Sequence, residues 1–217
     1  MRKNKITLSV SLCFRSVASV VKRRRNILLL VVGLSVFSAC NLFKQKEEPP
    51  VLSTKTLYLI RHAKSDHDSL SLSDFDRPLE QRGIDNAIAM GNFFKGKSPC
   101  IDLVILSPSA RTKQTFDLIC GKWLPDSVRV VKDTALYNCS KDEALQVVNK
   151  IPEKYKCVIL VGHNTWITSF ANSMQDEKVI DEISTAGIVA VNFEGLTWAQ
   201  FGTKKGKLLF YQTPKKL

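Results

Sequence analysis

Two arginines and two histidines stand shortly after three apolar runs of the chain, in the order Arg61, His62, Arg111 and His163. Arginine presents planar, paired donors that match the oxygens of a phosphoryl group. Histidine is the common side chain that can act both as a nucleophile and as an acid near neutral pH. A pocket that gathered all four residues would be cationic and would need an anion to balance its charge. The side chains therefore indicate phosphoryl chemistry.

The apolar runs predict how these side chains are brought together. From residue 56 onward, short β-like runs alternate with helical stretches, a pattern typical of a three-layer α/β/α sandwich around a mostly parallel sheet. Six strands are predicted, near residues 57–60, 101–106, 128–131, 157–161, 187–193 and 207–211. Helices are predicted near residues 80–95, 109–120 and 141–150, with a further helical region that ends near 183. Ligands bind at the carboxyl ends of strands in such sheets, so we expect the arginines and histidines to converge there.

Four segments of the chain, in order, resemble the motifs of the histidine phosphatase superfamily. They are residues 57–65 (LYLIRHAKS), 77–83 (RPLEQRG), 107–115 (SPSARTKQT) and 160–164 (LVGHN). The set is most similar to the SixA-like phosphohistidine phosphatase branch of that superfamily, as are residues 185–188 (TAGI). One short match would be a weak signal, whereas four in order are a specific one. The resemblance spans about residues 56–212 and implies a phosphoglycerate mutase-like fold with a six-stranded sheet.

The resemblance also implies a role for each of the four side chains. His62 would attack phosphorus in line and carry the phosphoryl group as a covalent phosphohistidine, which water then hydrolyses. Arg61, Arg111 and His163 would bind the phosphoryl oxygens as charge develops in the transition state. Because two guanidinium groups and an imidazolium would supply the positive charge, we expect a phosphorylated substrate and neither a metal ion nor another cofactor.

One position departs from the superfamily pattern. Asn138 stands where larger members carry the acid that protonates the leaving oxygen. Without that acid an alkoxide would be expelled slowly, since general acid catalysis is typically worth about 10²–10⁴-fold. The imidazole of phosphohistidine would lose less, which favours the SixA-like branch over a phosphoglycerate mutase. Asp76 is an open candidate for a substitute donor, and His67, in a polar loop, is predicted to be solvated.

Residues 1–39 have the pattern of a secretory leader, because they contain eight of the 32 basic residues and none of the 20 acidic ones. A basic cluster at 22–25 precedes an apolar run at 27–37, which is shorter than the roughly 20 residues of a transmembrane helix. The small residues before Cys40 resemble a lipoprotein cleavage box, in which Cys40 would be acylated. We predict a lipid-anchored protein of the cell envelope, in the periplasm or at the cell surface, with an uncleaved membrane anchor as the alternative.

The remainder of the chain divides into a tether and one domain. Residues 40–55 are polar and proline-rich, which predicts a flexible tether, and residues 56–217 form the predicted histidine phosphatase domain. The formal net charge of +12 belongs mostly to the leader and gives no support for a nucleic-acid partner. The expected partners are the phosphorylated substrate and the membrane, and the protein is expected to be a monomer.

Four cysteines fall in the predicted domain, namely Cys100, Cys120, Cys139 and Cys157. Their spacing fits neither a zinc site nor a Cys-x-x-Cys redox pair. In the superfamily sheet, the strands near Cys100 and Cys157 are parallel neighbours, so a disulfide between these two residues is predicted. Unpaired buried thiols are the alternative.

Other classes of protein fit the sequence less well. Serine hydrolase and P-loop motifs are absent from the sequence. A non-catalytic lipoprotein that binds phosphoryl groups is the main alternative, although the presence of both His62 and His163 counts against it. The substrate stays open between phosphohistidine and a small phosphorylated envelope compound, because proteins of phosphohistidine relays are cytoplasmic while this domain is predicted to lie outside.

Overall fold

The computed structural model describes residues 54–66 and 71–217. Its sheet is built from β1 (Lys55–Arg61), β2 (Leu103–Leu106), β3 (Arg129–Lys132), β4 (Cys157–Gly162), β5 (Ile188–Phe193) and β6 (Lys207–Gln212). The strand order is β3-β2-β4-β1-β5-β6. The first four strands run parallel to one another, and β5 is antiparallel to both β1 and β6. The predicted six-stranded, mostly parallel sheet is confirmed.

Four α-helices connect the strands: α1 (Gln81–Gly96), α2 (Ala110–Phe116), α3 (Lys141–Asn149) and α4 (Trp166–Ser173). A π-helical segment, Asp117–Gly121, continues α2, and three short 3-10 turns occupy Thr134–Leu136, Trp198–Gln200 and Pro214–Lys216. Helix α3 begins with a capping box, in which the Ser140 hydroxyl accepts from the backbone N–H of Glu143 and the Glu143 carboxylate accepts from that of Ser140.

The prediction of helix as far as residue 183 is wrong, because α4 ends at Ser173. The Asn172 side chain explains why the helix does not continue beyond Ser173. Its Oδ1 accepts from the backbone N–H groups of Val179 and Ile180 at 3.1 Å, and its Nδ2 donates to the Ile180 carbonyl at 2.7 Å. These bonds hold the chain in a loop after α4 in place of further helical turns.

Two apolar clusters lie on opposite faces of the sheet. Alternate residues of β1 enter different clusters, with Leu57 and Leu59 in one and Tyr58 and Ile60 in the other, as the two-residue repeat of a strand requires. Helices α3 and α4 cover the first face, and α1 and α2 cover the second. The predicted three-layer sandwich is therefore confirmed, with β1, β2 and β4 buried on both sides and β3 largely exposed at the edge of the sheet.

Strand β1 begins at Lys55, the last residue of the predicted tether, and Lys55 is buried. Its ammonium group pairs with the Glu153 carboxylate at 2.8 Å, which compensates the burial of the charge. The leader (residues 1–39), the acylation site Cys40, most of the tether and His67 lie outside the described residues. Within the described ranges, no helix has the length and apolar character needed to cross a membrane.

The predicted disulfide between Cys100 and Cys157 is not formed in the structure, where both residues are free thiols. The strand pairing behind it is nevertheless present, since β2 and β4 are parallel neighbours and the Asp102 N–H donates to the Cys157 carbonyl at 2.9 Å. The Cys100 thiol lies near enough to Cys157 to influence its protonation. Burial and the neighbouring Cys100 raise the pKa of Cys157 to about 12, so Cys157 remains a protonated thiol.

Candidate active site

The carboxyl ends of β1, β2 and β4 bring the four predicted side chains to one edge of the sheet. The backbone N–H of His62 donates to the Gly162 carbonyl at 2.9 Å, which fixes the end of β1 against the end of β4. The rings of His62 and His163 have their centroids 5.0 Å apart. Arg111 and Arg61 lie near enough to influence the protonation of both imidazoles. The predicted convergence at this edge is present in the structure.

The hydrogen bond of His62 determines which of its nitrogens can react. Nδ1 lies 2.7 Å from the Ala63 carbonyl oxygen, which can only accept, so Nδ1 carries the proton and Nε2 has the lone pair. Burial, followed by the charges of Arg111 and Arg61, lowers the pKa of His62 to about 4. His62 is therefore a neutral imidazole at pH 7, with an unprotonated Nε2.

His163 is also neutral, which corrects the expectation of an imidazolium. Its Nε2 lies 2.9 Å from the Ser107 hydroxyl, and the Tyr137 ring packs edge-on against it with centroids 5.5 Å apart. Burial first, then the neighbouring His62 and Arg111, lower the pKa of His163 to about 3. In this structure the positive charge at the strand ends comes from the two guanidinium groups.

Arg61 is held by the loop that follows α4. Its Nη1 donates to the Glu182 carboxylate at 2.7 Å and to the Ile183 carbonyl at 2.6 Å. The Asn164 side-chain amide also donates to Glu182, at 2.8 Å. Glu182 was not among the predicted site residues, because it lies in the segment predicted as helix and no motif marks it.

Arg111 is buried and is paired with Asp74. Its Nη2 donates to Asp74 Oδ2 at 2.9 Å, and its Nη1 donates to the Asp74 backbone carbonyl. The Tyr137 hydroxyl donates to the same carboxylate oxygen at 2.7 Å, and Arg77 pairs with the other oxygen. The bond from Tyr137, together with Arg111, lowers the pKa of Asp74 to about 2. The Asp74 carboxylate is consequently ionised at neutral pH, and it is the one carboxylate placed against Arg111 among the described residues.

Asp76, the substitute donor considered from the sequence, is not the carboxylate that contacts the site. It is exposed and accepts a hydrogen bond from the Ser73 hydroxyl at 2.7 Å. Asp74, two residues earlier in the same segment, takes the position beside Arg111. The pair of carboxylates in this segment was visible in the sequence, but the loop conformation decides which of them reaches the arginine.

Asn138 is exposed, and Tyr137 just before it supplies the contacts to Asp74 and His163. The ionised Asp74 has no proton to donate at neutral pH.

In the described part of the chain, no group of three or more histidine, cysteine, aspartate or glutamate side chains is arranged to hold a metal ion. The site combines two neutral imidazoles with two guanidinium groups.

Two glycines allow helices to approach the strand ends closely. A Cβ at Gly83 would overlap the backbone carbonyl oxygen of Lys64, in the loop after His62. A Cβ at Gly162 would overlap the Trp166 ring at the start of α4. Since neither contact leaves room for a methyl group, glycine is required at both positions for this packing.

The low pKa values lead to a testable pH dependence. In NMR spectra of the ¹⁵N-histidine-labelled protein, we expect His62 to titrate near pH 4 and His163 near pH 3. Between about pH 6.5 and pH 4 the unfolded chain binds protons at His62 and His163 that the folded chain does not, so the free energy of unfolding should fall as the pH is lowered through this range. Titration of both site histidines near pH 6.5 would contradict the burial of the two rings.

Comparison with known proteins identifies the family. The model of the histidine phosphatase superfamily (branch 1) matches residues 57–143. An uncharacterised chloroplast protein of Arabidopsis thaliana is 34% identical over 160 residues, which cover 70% of this chain and 72% of that protein. A solved structure assigned to phosphohistidine phosphatase SixA from Nakamurella multipartitia has a TM-score of 0.64 and 26% identity, and the match covers 75% of this chain and 97% of that chain.

The fold itself recurs in a more distant protein. The crystal structure of phosphoglycerate mutase from Bacillus anthracis has a TM-score of 0.55 at 14% identity, over 70% of this chain and 98% of that chain. This likeness confirms the phosphoglycerate mutase-like fold and says nothing more about activity. The chain therefore belongs to the histidine phosphatase superfamily, and within it to the hydrolases of the SixA-like branch.

Proposed function

We propose that this protein is a phosphatase that hydrolyses its substrate through a phosphohistidine intermediate on His62, without a metal ion. The observation that carries the proposal is the hydrogen bond between His62 Nδ1 and the Ala63 carbonyl at 2.7 Å. This bond leaves the lone pair on Nε2, and the low pKa of His62 keeps that nitrogen unprotonated at pH 7. A nucleophile with its lone pair free needs no separate base to activate it.

The surrounding groups can stabilise the charge of a phosphoryl group. A guanidinium has five N–H donors, and Arg111 uses two of its nitrogens on Asp74, so further donors remain for phosphoryl oxygens. Arg61 Nε and His163 Nδ1 are buried and have no hydrogen-bond partner among the described residues. Leaving such an atom unpaired costs about 1–3 kcal/mol, which a bound oxyanion could recover at a donor.

The reaction proceeds in two displacements. In the first, His62 Nε2 forms a bond to phosphorus while the bond between phosphorus and the leaving group breaks. The Nδ1 proton stays on the ring, where the Ala63 carbonyl stabilises the positive charge that develops. In the second, water attacks the phosphohistidine, inorganic phosphate leaves, and the neutral imidazole is restored.

The substrate we propose is phosphohistidine or a small phosphorylated compound of the cell envelope. Asp74 is ionised and Asn138 carries no acidic proton, so the site favours leaving groups that depart without general acid catalysis. We further propose that acyl chains on Cys40 hold the protein, as a monomer, at a membrane of the envelope. Support for this anchor comes from the basic cluster, the short apolar run and the small residues that precede Cys40.

An assay of phosphate release tests the function. The full chain in detergent, incubated with phosphoramidate, phosphohistidine and 4-nitrophenyl phosphate, is expected to release phosphate at the same rate with and without the chelator EDTA. Binding of a phosphonate with no release of phosphate from any of these compounds would contradict the proposal and favour a non-catalytic phosphoryl-binding protein. A rate that EDTA abolishes and an added divalent metal restores would contradict metal independence.

A further inference from the structure

A cleft of about 280 Å³ adjoins the candidate active site and shares Arg61 with it. Three further cationic side chains line the cleft, those of Lys64, Arg82 and Lys215, against a single carboxylate, Glu182. The proposed phosphatase reaction accounts for Arg61 and gives no role to the other three cations.

Three separate parts of the fold bring these cations together. Lys64 lies in the loop after β1, Arg82 lies in the first turn of α1, and Lys215 lies in the C-terminal turn that packs against α1. The Glu80 N–H donates to the Lys64 carbonyl at 3.1 Å, and the close approach of Gly83 to the same carbonyl fixes α1 against the loop. The spacing of Lys64 and Arg82 is therefore set by backbone contacts.

The positive charge of the cleft is not balanced by the protein. The Glu182 carboxylate is already shared by Arg61 and Asn164. Lys64 pairs with Glu80 at 3.4 Å, whereas no carboxylate of the described residues pairs with Arg82 or Lys215, which are both exposed. Cations gathered in a concave surface attract an anion.

We propose that the cleft binds a second anionic group, a phosphate or a carboxylate, of the same substrate that transfers its phosphoryl group to His62. The inference rests on the proposed function and narrows the substrate to compounds with two anionic groups. A volume of about 280 Å³ suits one small group rather than a whole drug-sized ligand. The side chains of Asn86, Ser184 and Thr185, which also line the cleft, can add hydrogen bonds to its oxygens.

Binding of non-hydrolysable probes tests this proposal. Isothermal titration calorimetry would compare 3- and 4-carboxybenzylphosphonate with the neutral carbamoyl compounds of the same shape. We expect at least one carboxylate to bind about tenfold or more tightly than its carbamoyl partner, a difference that falls as the salt concentration rises. A probe with a second phosphonate in place of the carboxylate would show which anion binds better, and tighter binding of either one supports the proposal.

Charge-removing variants assign the effect to the cleft. In the double variant Arg82→Gln/Lys215→Gln, the affinities for the carboxylate probe and for its carbamoyl partner should differ by no more than about twofold. Arg129→Gln/Lys132→Gln is the matched control, because it removes the same charges from β3 at the far edge of the sheet and should leave the ratio unchanged. An equal affinity for all probes in the wild type, or an unchanged ratio in the cleft variant, would overturn the proposal.

The binding measurements do not depend on whether the protein hydrolyses a substrate. Because phosphonates are not hydrolysed, a preserved affinity ratio combined with no phosphate release would refute the proposed phosphatase and leave the anion-binding cleft in place. Phosphate release with no preference for a second anion would refute anion binding in the cleft and leave the proposed phosphatase activity in place. Each single variant, Arg82→Gln and Lys215→Gln, gives the same comparison with only one charge removed.

Discussion

Replacement of His62 by alanine or glutamine is expected to lower phosphate release by at least about 10⁴-fold for every substrate, because no other side chain replaces the lost nucleophile. The matched control is His67→Gln, which removes the one histidine assigned no part in the reaction and should retain activity. His62→Gln should still bind benzylphosphonate, since Arg111 keeps its pairing with Asp74. Circular dichroism would confirm that each variant is folded. Residual activity of His62→Ala within about tenfold of the wild type would remove His62 from the proposed role.

The dependence of rate on the leaving group is the second large effect. We expect phosphoramidates and activated aryl phosphates to be hydrolysed at least about 100-fold faster than alkyl phosphates, because the site offers no protonated carboxyl to the leaving oxygen. The logarithm of kcat/KM, plotted against the pKa of the leaving group for a series of aryl and alkyl phosphates, should fall steeply.

Substitution at Asn138 provides a matched pair of variants for this effect. Asn138→Glu introduces an acid at the position where larger members of the superfamily carry one, and it should raise activity towards alkyl phosphates. Asn138→Gln has nearly the same size and no acidic proton, so it should leave the preference unaltered. If alkyl phosphates prove to be the best substrates of the wild type, a proton donor must operate in the site, which would contradict the expected preference for good leaving groups.

The location of the site could be predicted from the sequence because it depends on strand direction alone. His62 and His163 directly follow β1 and β4, and parallel neighbouring strands end at the same edge of a sheet. Arg111 lies in the first turn of the helix after β2, which pairs with β4 in the same direction. Local patterns of apolar residues were therefore sufficient to predict that these side chains lie at one edge of the sheet.

The contacts around the site depend on the path of irregular loops, which the periodicity of apolar residues in the sequence does not predict. Glu182 reaches Arg61 because the side chain of Asn172 holds the chain in a loop after α4, where helix was predicted. Asp74 rather than Asp76 faces Arg111 for a similar reason, since the two lie in one loop and differ only in orientation. The neutral state of His163 follows from burial in the folded protein, which residue type and spacing do not reveal.

Trapping the covalent intermediate tests the role of His62 most directly. The protein would be incubated briefly with a radiolabelled phosphoryl donor, quenched without acid because phosphohistidine is labile in acid, digested and analysed by mass spectrometry. We expect one labile phosphoryl group per chain, bound to His62 Nε2, and no label in His62→Ala. Label on a different residue, or equal labelling of the wild type and His62→Ala, would contradict a phosphohistidine intermediate at this position.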